Sequence, residues 1–362
     1  MAANLVQAYL VICILGVASL RRIPAMQVAI AIFLLFVLAF TYVSVPASVA
    51  QDRYNYFLWY LNASNTSFEL IDPGFNFIMK ALPEGLDLQQ FSLMYALIFF
   101  AFVLVFYLVA LKRLGIEYAA IGLFLAFLVL DRYFLTLSFN TTRSSLAGVV
   151  FCFVFLSNYW PTRIIFILTA FSVHYANTAI LLIVFLGAYF FRFTNLLKYV
   201  TLVLGLAFVI KFLSDFRLFD LTLLESILYR WQDTRFERGL EASSDETTTS
   251  LFIQFALALV LPVFVVALSA RDGQGGSERT GLANLFAKDA RNDRKTVTTR
   301  FVLMSACAFF LTYPEILLAQ RILIASLLLL PFGLDRKSVL SILFIKSAIF
   351  IFYVFPRILN GA

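Results

Sequence analysis

FNTTRSSLAGVVFCFVFLSNYWPTRIIFILTAFSVHY, residues 139 to 175, decides how the rest of the chain is read. Two apolar runs, 144 to 157 and 164 to 173, are separated by the polar turn Asn158 to Arg163. That pattern predicts a helical hairpin whose ends, Arg143 and His174, return to one side. At 1.5 Å rise per residue the runs cover roughly 21 Å and 15 Å, against a bilayer hydrocarbon core of about 30 Å. Neither run spans comfortably. With the turn at one surface, Arg143 and His174 stand below the opposite one, where water or protein, not lipid, must surround them. The expectation is a recessed, wet pocket.

Composition supports the same reading. With 62% apolar residues, 42 Phe, 14% charged residues and mean hydropathy +0.91, the chain lacks the polar groups needed to cover a soluble domain. Its apolar residues come in uninterrupted blocks, unlike the alternating segments of a β-barrel. The fold class expected is all-α, a polytopic transmembrane bundle forming one integral membrane domain over residues 1–362. Cys13, Cys152 and Cys307 lie inside apolar blocks without metal-ligand or CxxC spacing, so they read as core residues and no metal site is expected.

Taken in order, a first span is expected at 5 to 20, followed by Arg21 and Arg22, an order unlike a cleaved signal peptide. A second runs from Pro24 to about Val49, and residues 50 to 90 form an outer loop with a turn at Pro73 and Gly74. Spans at 91 to 111 and 116 to 136 lead into the hairpin. Runs at 176 to 191 and 199 to 213 precede a second outer loop, 214 to 249, with an amphipathic pattern. Residues 250 to 270 cross to a cytoplasmic segment, 271 to 300. Two short runs, 301 to 313 and 322 to 334, flank Pro314, Glu315 and Arg321, and 338 to 355 is the last span. About twelve helices therefore enter the membrane. The inside segments hold 16 of the 28 Lys and Arg but only 6 of the 21 Asp and Glu, so this topology meets the positive-inside rule.

Arg143 and Arg321 each stand beside a short run on the outer side. Each has an ordinary reading, a guanidinium snorkelling to the headgroups. The sharper reading is a shared site for a phosphorylated lipid, because guanidinium bonds phosphate in bidentate fashion and keeps its charge. His174, the chain's one histidine, reads either as a hydrogen-bonded structural residue or as the side chain suited to proton transfer near neutral pH. The segment 271 to 300 has Gly273, Gly275 and Gly276 but no Walker Lys-Ser pair, so ATP binding has no support.

QDRYNYFLWY and then FELIDPGFNFIMKAL, at 51 to 60 and 68 to 82, resemble the first outer loop of the EpsG-type family of Wzy-like polysaccharide polymerases. Asp52 with Tyr56 four residues on, and Asp72-Pro73-Gly74-Phe75, match that family's pattern. Asn140, Arg143 and Leu146-Ala147 are similar to its next signature, His174 to its third, and Arg321 to a late arginine. The chain departs from the pattern at Ser144, where a Gln commonly follows the Arg, at Asp72, where Glu is usual before Pro, and after His174.

The resemblance implies a GT-C-like glycosyltransferase on the outer, periplasmic face of a bacterial inner membrane, needing no cofactor. Its substrate, as donor and acceptor, would be an oligosaccharide on undecaprenyl diphosphate. A chain-length regulator is a further expected partner, and nucleic acid is not. Arg143 and Arg321 are then expected to bind the diphosphate, with His174 or Asp52 as base. Tyr56, Glu69 and Asp72 are expected to hydrogen-bond the glycan, with Tyr54, Phe57, Trp59 and Tyr60 offering flat faces to sugar rings. The same aromatic loop also fits an interfacial belt. Competing readings are an O-antigen ligase using the same donor, and a transporter or flippase. A transporter should show internally repeated halves and polar residues toward the midplane, whereas these candidates cluster on one side.

Overall fold

A computed structural model describes residues 24–44, 51–62, 72–114, 121–129, 134, 138, 141–157, 159–190, 298, 301–302, 304–305, 316–333 and 342–346. Among these residues the protein is all-helical, with no strand. The helices are α1 (Pro24–Ser44), α2 (Gln51–Leu61), α3 (Pro73–Ala81), α4 (Leu88–Leu114), α5 (Ile121–Val129), α6 (Thr142–Leu156), α7 (Trp160–Val173), α8 (Tyr175–Phe190) and α9 (Ile316–Gly333). Expected spans at 5 to 20, 199 to 213 and 250 to 270, the loop 214 to 249, the segment 271 to 300 apart from 298, and Glu69 lie outside the described residues.

α6 is the hub. It packs on α4, α7, α8 and α9, and of its 15 residues only Arg143 and Phe153 are not buried. A helix without a polar face belongs in an interior, and TRSSLAGVVFCFVFL has polar side chains only in its first turn. α6, α4 and α9 run in the same direction. Tyr95 approaches Thr142 at one end, Phe106 packs on Phe153 and Phe332 at the other, and Gly148 lies against Ile324 between them.

Among the described residues one helix, α4, is long and apolar enough to cross a membrane. Its start carries a reciprocal cap, with Gln90 N–H donating to Asp87 Oδ1 (2.8 Å) and Asp87 N–H to Gln90 Oε1 (3.1 Å). Its last turn carries Lys112 and Arg113, favourable at a helix C-terminus. α6, α7 and α8 are shorter, with 15, 14 and 16 residues, roughly 21 to 24 Å each. The outward faces of α1 (Ile32, Phe33, Phe36, Phe40) and α7 (Ile164, Ile165, Leu168) are apolar yet exposed, the surface a lipid phase would solvate.

The structure corrects three boundaries. The turn of the hairpin is shorter than Asn158 to Arg163, because Trp160 to Arg163 already form the first turn of α7. Pro161 starts that helix, since its missing N–H costs nothing there. Residues 50 to 90 are not one open loop: they carry the short helices α2 and α3, with Phe75 fully buried under Tyr56 and Trp59. Arg321 does not precede its run but lies inside α9, in the second turn.

Candidate functional site

Asp72 holds the site together. It occupies the position before α3, yet its side chain caps no N–H of its own helix. Instead, Tyr175 N–H, at the start of α8, donates to Asp72 Oδ1 at 3.2 Å. Asp72 Oδ2 accepts from Arg143 Nη1 of α6 at 2.6 Å and lies 3.5 Å from His174 Nδ1. The carboxylate has no exposed surface, and Arg143 is 14% exposed. One buried anion thus joins the beginnings of α3, α6 and α8, where helix dipoles make negative charge favourable.

Backbone breaks bring these groups to the same end. His174 is extended (φ −159°, ψ 99°) and ends α7, with its N–H bonded to Ala170 O at 2.9 Å. Its carbonyl then accepts from Thr178 N–H and Thr178 Oγ1, so it also opens α8. Asn177, fully buried, ties that turn to α6 through Nδ2 donating to Ser144 O at 2.9 Å. Pro73 and Gly74 dock on the end of α7. A Cβ on Gly74 would stand 2.3 Å from Ser172 Oγ and 3.0 Å from Ser172 backbone carbon, so only glycine permits the approach that delivers Asp72 to His174.

An aromatic wall closes the other side. Arg143 Cζ lies 5.0 Å from the Trp59 ring and 5.9 Å from the Phe75 ring, geometry in which a cation is attracted to the ring face. Below it, Tyr42, Tyr56 and Tyr95 approach Thr142, whose Oγ1 is buried without a well-formed hydrogen bond. Burial, then the nearby Asp52 charge, pushes the Tyr56 phenol up to about 12. Tyr56 is therefore a neutral hydroxyl at any physiological pH. Arg53 Nη1 donates to Tyr42 O at 2.9 Å, capping the last turn of α1.

Of the residues singled out in the sequence, Asp72, Arg143 and His174 meet directly. Asp52 is half-buried on α2 beside Tyr42 and Tyr56. Arg321 is reached by register: α9 runs parallel to α6 and Ile324 faces Gly148, so position 321, one turn earlier, is level with the start of α6. The geometry revises the glycan-binding set. Asp72, expected to hydrogen-bond the glycan, is fully buried, with Oδ2 on Arg143 and Oδ1 on Tyr175 N–H. Tyr56, Trp59 and Tyr60 are also buried, packed among Phe75, Phe91 and Tyr95, which leaves Tyr54 as the exposed ring of that stretch. Sequence reading missed Tyr42 and Tyr95, phenols inside apolar blocks, and Thr142, in the polar stretch before the hairpin's first run.

Among the described residues no cluster of His, Cys, Asp or Glu has the makings of a metal site. What the arrangement offers instead is a guanidinium with one buried counter-ion, an imidazole beside the same carboxylate, and three helix N-termini. These are groups for holding an anion and moving a proton. Compared with known proteins, the chain matches no family model, no curated protein and no solved structure.

Proposed function

We propose that this chain is a membrane glycosyltransferase of the Wzy-like polymerase type. It transfers a growing glycan from undecaprenyl diphosphate to a hydroxyl of the next lipid-linked repeat unit, on the periplasmic face of a bacterial inner membrane. The observation that carries the reading is the Asp72, Arg143 and His174 constellation, with Arg143 and His174 on one carboxylate oxygen. Shorter apolar helices surround it, and they fit a recess in a bundle of about twelve GT-C-like helices.

In this reaction the acceptor oxygen forms a bond to the anomeric carbon while the bond from that carbon to the diphosphate oxygen breaks. The hydroxyl proton goes to His174, and the electron pair leaves on the lipid diphosphate. Arg143, and Arg321 on the parallel helix, supply fixed positive charge where negative charge develops. His174 is preferred to Asp52 as base, because His174 shares one oxygen of Asp72 with Arg143.

The test is reconstitution. Purified protein in nanodiscs is given a repeat unit linked to lipid diphosphate, without ATP or added metal, and the products are separated by size. A ladder of longer lipid-linked glycans is expected. Absence of a ladder across authentic repeat units would overturn the proposal.

A further inference from the structure

Two side chains approach one oxygen of Asp72, Arg143 Nη1 at 2.6 Å and His174 Nδ1 at 3.5 Å. The carboxylate itself is wholly buried, whereas Arg143 keeps some exposed surface. An anion arriving from solvent therefore meets the guanidinium, not the carboxylate. Arg143 holds Asp72 through Nη1 alone, and an anion that draws Nη1 to itself takes that donor from the carboxylate. A buried carboxylate that loses its partner is strongly disfavoured, and the nearest group able to restore a charge is the imidazole.

We infer that Asp72 is a positioning residue that couples anion capture at Arg143 to the proton affinity of His174. With Arg143 on the carboxylate at 2.6 Å, Asp72 is already paired and His174 stands off at 3.5 Å. When a phosphate-bearing ligand draws Arg143 away, Asp72 faces His174 alone, and the imidazole holds a proton more firmly. The inference rests on the proposed anion site and adds its regulation: the base reaches full strength only once the donor diphosphate is seated. Tyr175 N–H, which donates to the other oxygen, keeps the carboxylate in place during the exchange.

The charged and titratable groups on the elements around His174 fit this assignment. Asp72 precedes α3 and Arg143 opens α6. Lys80 sits in the last turn of α3, and Arg163 is at the far end of α7, bonded to Ser157 O. Asp52 and Arg53 lie on α2 beside Tyr42, Tyr175 follows His174 directly, and α9, packed on α8, carries Arg321.

Because the chain has one histidine, its imidazole can be read without assignment ambiguity. The full-length protein, purified through a histidine-free tag, is labelled with ¹⁵N-histidine, and the ring nitrogens are followed against pH with and without saturating inorganic pyrophosphate. Binding is measured separately by calorimetry. In the wild type, pyrophosphate is expected to raise the midpoint of His174 by about one pH unit, a tenfold gain in proton affinity. Asp72→Asn, which keeps an acceptor for Tyr175 N–H, should lose most of that rise. Should it not fold, Asp72→Ser, a good residue at a helix start, takes its place. Arg143→Ala should raise the midpoint without pyrophosphate, and by much more than it does in the Asp72→Asn background.

If pyrophosphate binds and the midpoint stays still, or moves equally with and without Asp72, the coupling is wrong. If pyrophosphate does not bind but Arg143→Ala still moves His174 through Asp72, the coupling stands and the anion site falls. An Arg143→Ala effect that ignores Asp72 overturns the coupling whatever binds.

Discussion

Asp72 and Arg143, separated by 71 residues, form a 2.6 Å ion pair in which the carboxylate is wholly buried and the guanidinium is not. That asymmetry predicts unequal substitutions. Arg143→Ala strands a buried charge and should cost about 3 to 5 kcal/mol. Asp72→Asn leaves a cation that solvent reaches, and should cost distinctly less. Thermal unfolding in one detergent checks the order; equal losses would show that the pair does not hold α3 to α6.

Gly74→Ala and Gly148→Ala should behave differently although both are crowded. At Gly74 the new Cβ meets the backbone carbon of Ser172 at 3.0 Å, which no rotamer relieves. At Gly148 it meets Ile324 Cγ2 at 2.4 Å, and the nearest backbone atom is 3.8 Å away. Each single change should cost about 1 to 3 kcal/mol. Ile324→Leu removes the Cγ2 methyl at constant volume and should rescue Gly148→Ala, whereas Ser172→Ala should rescue Gly74→Ala only in part. Melting temperatures of the four variants decide.

These contacts show what the sequence could and could not carry. The apolar run of α6 was legible, because residues 146 to 156 carry no charged side chain, but its place as the hub was not, since the equally apolar α7 keeps an exposed face. Asp72-Pro73-Gly74-Phe75, expected as a turn at Pro73 and Gly74, is instead the start of α3, and its partners were not legible. Nothing in linear spacing distinguishes Arg53, Arg143 and Arg321 as mates for Asp72, and the choice is made by how closely Gly74 approaches Ser172. The outer segment 50 to 90 looked like loop because α2 and α3 are only 11 and 9 residues long. Helices that short are stable only through tertiary packing, here of Tyr56, Trp59 and Phe75, which a composition reading cannot see.

Tyr56 predicts an alkaline limit. Its phenol is raised to about 12 in the folded protein, first by burial and then by Asp52, against an ordinary value near 10. A raised value favours the neutral form when folded. Its contribution to stability is therefore complete below about pH 10 and is lost as pH climbs toward 12. Tyr56→Phe should flatten this part of the profile while leaving neutral-pH stability within about 1 kcal/mol, beyond the loss of one hydrogen bond. A profile unchanged by the substitution would mean the ring ionises freely in the folded state.

Arg143→Ala and Arg321→Ala should each abolish long glycan chains in cells that depend on this protein, judged per amount of protein in the membrane, which Arg143→Ala is expected to lower. His174→Ala should reduce polymerisation by about 10² to 10⁴, the usual effect of removing a general base. Glycan length on gels, beside immunoblots of the membrane fraction, reads all three. Full-length polymer from both arginine variants would remove the diphosphate site, and His174→Ala activity within a few-fold of wild type would remove the base.

The recess itself is testable with thiol chemistry, because a maleimide reacts with a thiolate, and a thiolate forms in water, not in hydrocarbon. Tyr175 is 42% exposed at the start of α8, beside Asp72. Ile165 is 60% exposed on the outer face of α7. Geometry alone would make Ile165 the more reactive position. A bilayer reverses that order, since the α7 face would be covered by acyl chains while the Asp72 end opens to solvent. In intact membranes, Tyr175→Cys should therefore be labelled by a membrane-impermeant maleimide well above the wild-type background, and Ile165→Cys should not. Detergent thinning or unfolding should bring the two together. If Ile165→Cys reacts as fast as Tyr175→Cys in the membrane, α7 faces water, and the short helices are not the walls of a submerged site.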